Sequence, residues 1–151
     1  MDFAYHRSIA PMMWVFVALA SIELVVVHVL VALWWPAFAV MLSLLTLAAI
    51  LWLAWAIASF RTQPVRIAGE MLVLRVGQLR QVAIPLTNVA GLRTGWTGYD
   101  IKARGTLNLA LIAWPNVLVE LREPVRLGRR TVDAVAHRLD DPVAFAAALA
   151  R

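Results

Sequence analysis

The chain has 151 residues, of which 62% are hydrophobic and only 15% charged, with a mean hydropathy of +0.77 and a formal charge of +5. This balance points to a membrane protein of one or two domains rather than a soluble enzyme. There are no cysteines, so disulfides and thiolate metal or redox sites are excluded.

Between Ser8 and Phe60 the only Asp, Glu, Lys or Arg is Glu23. Two spans fit this stretch, residues 12–34 and 37–59, each about 34 Å long at ~1.5 Å per residue and thus long enough to cross a bilayer. Trp34, Trp35 and Pro36 break the run between them: proline favours a turn and tryptophan suits a headgroup interface. A hairpin of two helices follows. Ala18-Leu19-Ala20 resembles a signal-peptidase site, but cleavage there would leave a new terminus still dominated by aliphatic residues, so the first span is read as a retained anchor. Arg7 precedes the first span, Arg61 and Arg66 follow the second, and the turn carries no basic residue. Both termini are therefore expected in the cytoplasm, making this a multi-pass protein of the cytoplasmic membrane.

After Phe60 the pattern becomes short β-like runs, and all seven glycines lie there. The expected domain boundary is at residues 62/63, dividing a hairpin over 1–62 from a β domain over 63–151. Residues 65–68, 71–76 and 79–86 read as a three-stranded meander joined by Gly69-Glu70 and Gly77-Gln78. A fourth strand starts near Val89, and the loop RTGWTGYDIKARG follows it. Residues 106–113 and 117–125 read as a hairpin around Trp114-Pro115-Asn116, and a seventh strand covers residues 131–139. In DDPVAFAAALA, Asp141 suits an N-cap and Pro142 the first helical turn, with Phe145 and Leu149 on one face. The expected fold is α+β: a helical hairpin, then a small β-barrel or sandwich of six to seven antiparallel strands closed by a C-terminal helix.

The hairpin followed by IAGEMLVLRVG, IPLTNVAGL, NVLVELREPV and LDDPVAFAAAL resembles bacterial membrane-anchored proteins with a pleckstrin-homology-like (membrane-flanked) domain. The resemblance covers almost the whole chain and implies a scaffold for protein contacts or self-assembly at the inner membrane. It brings no catalytic residues. The turn matching the phosphoinositide loop of pleckstrin-homology domains, Ala68-Gly69-Glu70, is short and acidic.

No phosphate-binding glycine loop, nucleophile elbow, HExxH or paired-cysteine motif occurs, and His6, His28 and His137 are far apart in the sequence. No catalytic, cofactor or metal residues are expected. Glu23 falls near the middle of the first span, where a charge costs at least ~2.5 kcal/mol, so it requires a proton or a partner. Folding the hairpin about its turn sets His28 level with Ser43 and Glu23 near Thr46. Glu23, His28, Ser43 and Thr46 form the expected membrane contact set, with the two hydroxyls donating toward the first helix. Three readings stand: polar contacts within the hairpin, a contact to a second copy or another membrane protein, and a proton relay through Glu23 and His28 in a transport component or enzyme subunit. A haem held by His28 of two copies is a fourth, weaker reading. From Arg61 onward thirteen Lys or Arg face seven Asp or Glu, which suits anionic lipid headgroups; nucleic acid is not an expected partner, since only Arg129 and Arg130 are adjacent. In the long loop, Arg93, Trp96, Tyr99, Lys102 and Arg104 form the second candidate surface, either an exposed tip or a lid folded on the core.

Overall fold

The computed structural model describes residues 1–150, apart from the side chain of Ser8. Strand β1 (Asp2–Phe3) precedes helix α1 (His6–Ala32), which turns at Leu33–Trp35 into helix α2 (Pro36–Thr62). Each helix contains an apolar window, with mean hydropathies of 2.6 and 2.4, long enough to cross a membrane. A core helix of a soluble protein would meet the same test, but such a helix is mostly buried. Here Leu19, Ile22, Val26, Leu45 and Leu51 are all more than half exposed, so the apolar faces have no protein cover.

Both helices run 27 residues. The first begins six residues before the expected start, because its first turns belong to the core of the β domain. Tyr5 and Ile9 are fully buried in the same cluster as Ile57, Phe60, Leu72, Ile84 and Val119. The N–H of Arg7, one of the orphan donors of a helix start, donates to Asp140 Oδ2 at 3.2 Å, and Asp140 N–H donates to Ala4 O at 2.9 Å. At the other end of the hairpin Pro36 opens α2 in its first turn.

The strands form two sheets of four. β2 (Val65–Ala68), β3 (Met71–Val76) and β4 (Arg80–Pro85) make the expected meander, and β1 adds to its edge by pairing Asp2 with Arg66 and Phe3 with Val65. Alternation is clean along β3, where Leu72, Leu74 and Val76 point into the core. The second sheet has the order β5-β7-β8-β6, from β5 (Val89–Leu92), β6 (Thr106–Asn108), β7 (Val117–Leu127) and β8 (Arg130–His137).

The expected hairpin of residues 106–113 with 117–125 does not form: β6 is three residues long and pairs with β8 in parallel, while β7 pairs with β8 through the turn at Gly128-Arg129. The chain leaves β6 because Asn108 Oδ1 accepts from Ala110 N–H and Ala113 N–H bonds to Ala110 O, turning the backbone out of the sheet. The β domain is also not a closed barrel, and one of its pairings is parallel. Core side chains of both sheets meet in one cluster with Phe145 of α4 (Pro142–Leu149). Asp141 caps α4 by accepting from Ala144 N–H at 2.9 Å, and the Phe145 ring meets Phe3 edge-on at 5.2 Å.

Candidate functional site

Two regions hold the residues singled out in the sequence. In the hairpin, Glu23, His28, Ser43 and Thr46 all line one groove of about 270 Å³ between α1 and α2. His28 Nδ1 and Ser43 Oγ lie 2.6 Å apart, a hydrogen bond across the helix pair. Thr46 behaves differently: its hydroxyl donates to Leu42 O at 3.0 Å within its own helix, the i−4 back-bond that serine and threonine make in helices. Thr46 thus donates nothing to the first helix, contrary to expectation.

Glu23 is exposed, and its carboxyl group has no hydrogen-bond or ion-pair partner among the described residues. Five residues separate it from His28, about 140° around the helix at ~100° per residue. His28 therefore turns toward α2 while Glu23 stands at the outer lip of the groove. Its neighbours on that face, Leu19, Ile22 and Val26, are exposed aliphatic side chains.

In the β domain the long loop contains a short helix, α3 (Gly98–Lys102). Its capping box is closed by Asp100, which accepts from Thr97 N–H at 2.7 Å and from the Thr97 hydroxyl at 2.8 Å. These donors, with Arg93 beside them, hold the Asp100 carboxyl below the usual carboxylate range. Arg93 is engaged by two carboxylates, Glu120 at 2.6 Å and Asp100 at 3.0 Å, and so clasps the loop to β7. Trp96 folds back, but onto the outer face of the second sheet against Leu118, Ala134 and Ala136, not onto the main core. Tyr99 is 90% exposed. Lys102 and Arg104 are exposed and line a wide cleft with Arg80, Arg129 and Arg130. The five loop residues thus divide into a clasp (Arg93), a cover (Trp96), an exposed ring (Tyr99) and two cleft cations.

A third cluster, absent from the sequence reading, joins the hairpin to the β domain. Tyr5 Oη accepts from Gly77 N–H at 2.5 Å, and Ser59 Oγ accepts from Gln78 N–H at 3.1 Å while donating to Ala56 O at 2.6 Å. The β3–β4 turn is thereby bonded to the residue that precedes α1 and to the last turns of α2. Gly77 is required there: its φ is +48°, and a Cβ would collide with Ser59 Oγ and lie 2.7 Å from the Phe60 ring. Burial pushes the Tyr5 phenol up to about 12. Its ring packs 5.1 Å from that of His137, which is fully buried. His137 Nδ1 accepts from Arg138 N–H at 2.7 Å, leaving Nε2–H to donate to Arg75 O at 2.8 Å. Burial lowers the His137 pKa from its ordinary value, in keeping with a neutral imidazole. Apart from the glycine in a tight turn, no local signal marks these residues, because their partners lie far away in the chain.

Among the described residues no cluster of His, Cys, Asp or Glu is arranged to hold a metal ion. No protein-family model, curated protein or solved structure matches the chain.

Proposed function

We propose that this protein is a membrane-anchored scaffold or accessory subunit whose hairpin crosses the cytoplasmic membrane and presents the β domain at the cytoplasmic face. Glu23 carries the proposal: an exposed carboxyl group near the middle of an apolar helix, with no partner among the described residues. In hydrocarbon such a group is costly unless a donor from outside the chain reaches it. A second copy of this protein or another membrane protein supplies that donor, and His28 with Ser43 keeps the hairpin closed behind it. The distribution of Arg7, Arg61 and Arg66 supports the orientation. The order of hairpin, two sheets and closing helix suits the resemblance to membrane-flanked pleckstrin-homology-like domains, and Tyr99 offers an exposed aromatic contact on the soluble side.

The test is photo-crosslinking in native membranes with a probe replacing Val26, an exposed position one turn from Glu23. The expected result is one recurrent protein adduct, either this chain or a single foreign protein. It should persist with Glu23→Gln, which can still hydrogen-bond, and disappear with Glu23→Leu. Lipid adducts alone would refute the proposal.

A second reading, a proton relay in a transport component, draws on the placement of Glu23 and His28 in one groove. Vesicles loaded with a pH-sensitive dye would then show a flux that Glu23→Gln abolishes. No flux would remove that reading.

A further inference from the structure

The cleft beside α3 encloses about 790 Å³. Five cations line it from three separate places in the chain: Arg80 at the start of β4, Lys102 and Arg104 around the end of α3, and Arg129 and Arg130 at the β7–β8 turn. Asp133 is the one acid in its lining. None of the five cations makes an ion pair or a side-chain hydrogen bond among the described residues. Acids elsewhere are committed differently: Asp2 pairs with Arg66, and Asp100 and Glu120 pair with Arg93. Asp133 itself lies against the backbone of Gly105, whose carbonyl accepts from Asp133 N–H at 2.9 Å; a Cβ at Gly105 would come within 2.5 Å of the Asp133 carboxyl carbon. A side chain at residue 105 would therefore displace that carboxylate, and glycine leaves this part of the wall bare.

Bringing five like charges around one concavity is unfavourable in the empty protein, and a bound anion relieves it. Four of the five are arginines, whose planar forks match the oxygens of phosphate in pairs. We propose that the cleft binds a phosphate-bearing anion. It is distinct from the Gly69-Glu70 turn, which does not line it. Arg80 lies two residues beyond Gln78, whose N–H is bonded to Ser59 in the last turns of α2. The cleft therefore begins close to the helix ends, within reach of a lipid headgroup phosphate if the helices span the bilayer, and it is wide enough for a free phosphate compound. Both sources present the same chemistry. This inference is independent of the role given to Glu23.

The experiment uses the full chain in nanodiscs and reads hydrogen–deuterium exchange over residues 102–108 and 129–133. In one arm the discs are pure phosphatidylcholine and inorganic pyrophosphate is titrated. In the other no pyrophosphate is added, and phosphatidylglycerol replaces a rising fraction of the lipid. Protection in the first arm alone assigns the site to a free phosphate compound, and protection in the second alone to a headgroup; protection in both also supports the proposal. Arg129→Gln with Arg130→Gln should move the midpoint about thirtyfold, roughly fivefold for each cation removed. The charge-matched control, Arg122→Gln with Arg126→Gln on exposed positions outside the cleft, should move it less than twofold. Absence of protection in both arms, or equal shifts for the two double variants, would overturn the proposal.

Discussion

Replacing Tyr5 by Phe removes a single oxygen from the junction between the helical hairpin and the β domain. The side chain is fully buried, and its hydroxyl is the acceptor for Gly77 N–H at 2.5 Å. The ring contacts to Phe60 and His137, at centroid distances of 5.9 Å and 5.1 Å, do not depend on that oxygen. The change therefore isolates an unsatisfied buried N–H, which costs about 1–3 kcal/mol. At ~1.4 kcal/mol per tenfold, opening of the β3–β4 turn should become roughly five- to 150-fold easier. Amide exchange at Gly77 in the full chain reads this directly. Tyr5→Ala adds a cavity and should cost about 3–5 kcal/mol across the whole β domain. The phenol adds a pH signature. Its pKa is pushed up to about 12 from the ordinary value of 10.0, so the folded chain holds a proton that the unfolded chain releases. Stability is thus lost as pH rises from about 10 toward about 12, by up to ~1.4 kcal/mol per pH unit, and Tyr5→Phe should abolish that component. Exchange at Gly77 within twofold of the wild type, or a loss equal to that of Tyr5→Ala, would show that the Tyr5 hydroxyl does not hold the turn.

His137 gives the opposite pH dependence: its folded pKa is depressed, so the unfolded chain binds a proton first, and stability should fall as pH drops through about 6.5. Urea midpoints measured from about pH 7.5 to about pH 5.5 should decline in the wild type and flatten in His137→Gln. Gly77→Ala should destabilise by at least about 2 kcal/mol, combining a left-handed backbone with the clash on Ser59 and Phe60; a neutral result would mean the turn can move away from the helices. Ser43→Ala should cost only about 0.6 kcal/mol and no more than ~1.7 kcal/mol of hairpin stability in mixed micelles, the range for hydrogen bonds between membrane helices. A larger loss would indicate that His28 does more than close the hairpin. A fragment of residues 63–151 lacks β1, Tyr5, Ile9, Ile57 and Phe60, and should show neither dispersed amide resonances nor cooperative unfolding.

The hairpin was legible from the sequence because its signal is compositional: two long apolar runs and a Trp-Trp-Pro break. The meander and α4 were legible because Gly69, Gly77 and the Asp141-Pro142 pair are local turn and capping signals. β1 was not, since two residues carry no periodicity and their partner strand lies beyond the whole hairpin. The parallel pairing of β6 with β8 is a tertiary choice that residues 106–113, read alone, do not encode. The capping box Thr97–Asp100 was present as a pattern, but a five-residue helix with glycine at its first position leaves little periodicity to find. Depth along the first span placed His28 level with Ser43. Side-chain direction around the helix depends on how α1 and α2 pack, so the outward face of Glu23 emerged only from the fold. The basic cleft was hidden for the same reason: its cations come from three segments that only the two sheets bring together.

The pairing of β1 with β2 also sets an order on synthesis. Residues 2–3 are made well before residues 65–68 exist, and at ~5–20 residues per second they wait several seconds, while both helices are synthesised, for a strand to join. The start of α1 waits longer still, because its Arg7 N–H is bonded to Asp140. A ribosome that stalls between these points leaves the two helices with an open sheet edge and an uncapped helix start. The start of α1 is thus closed only by a residue made 133 positions later, which ties the first helix to the segment just before α4, the last element of the β domain.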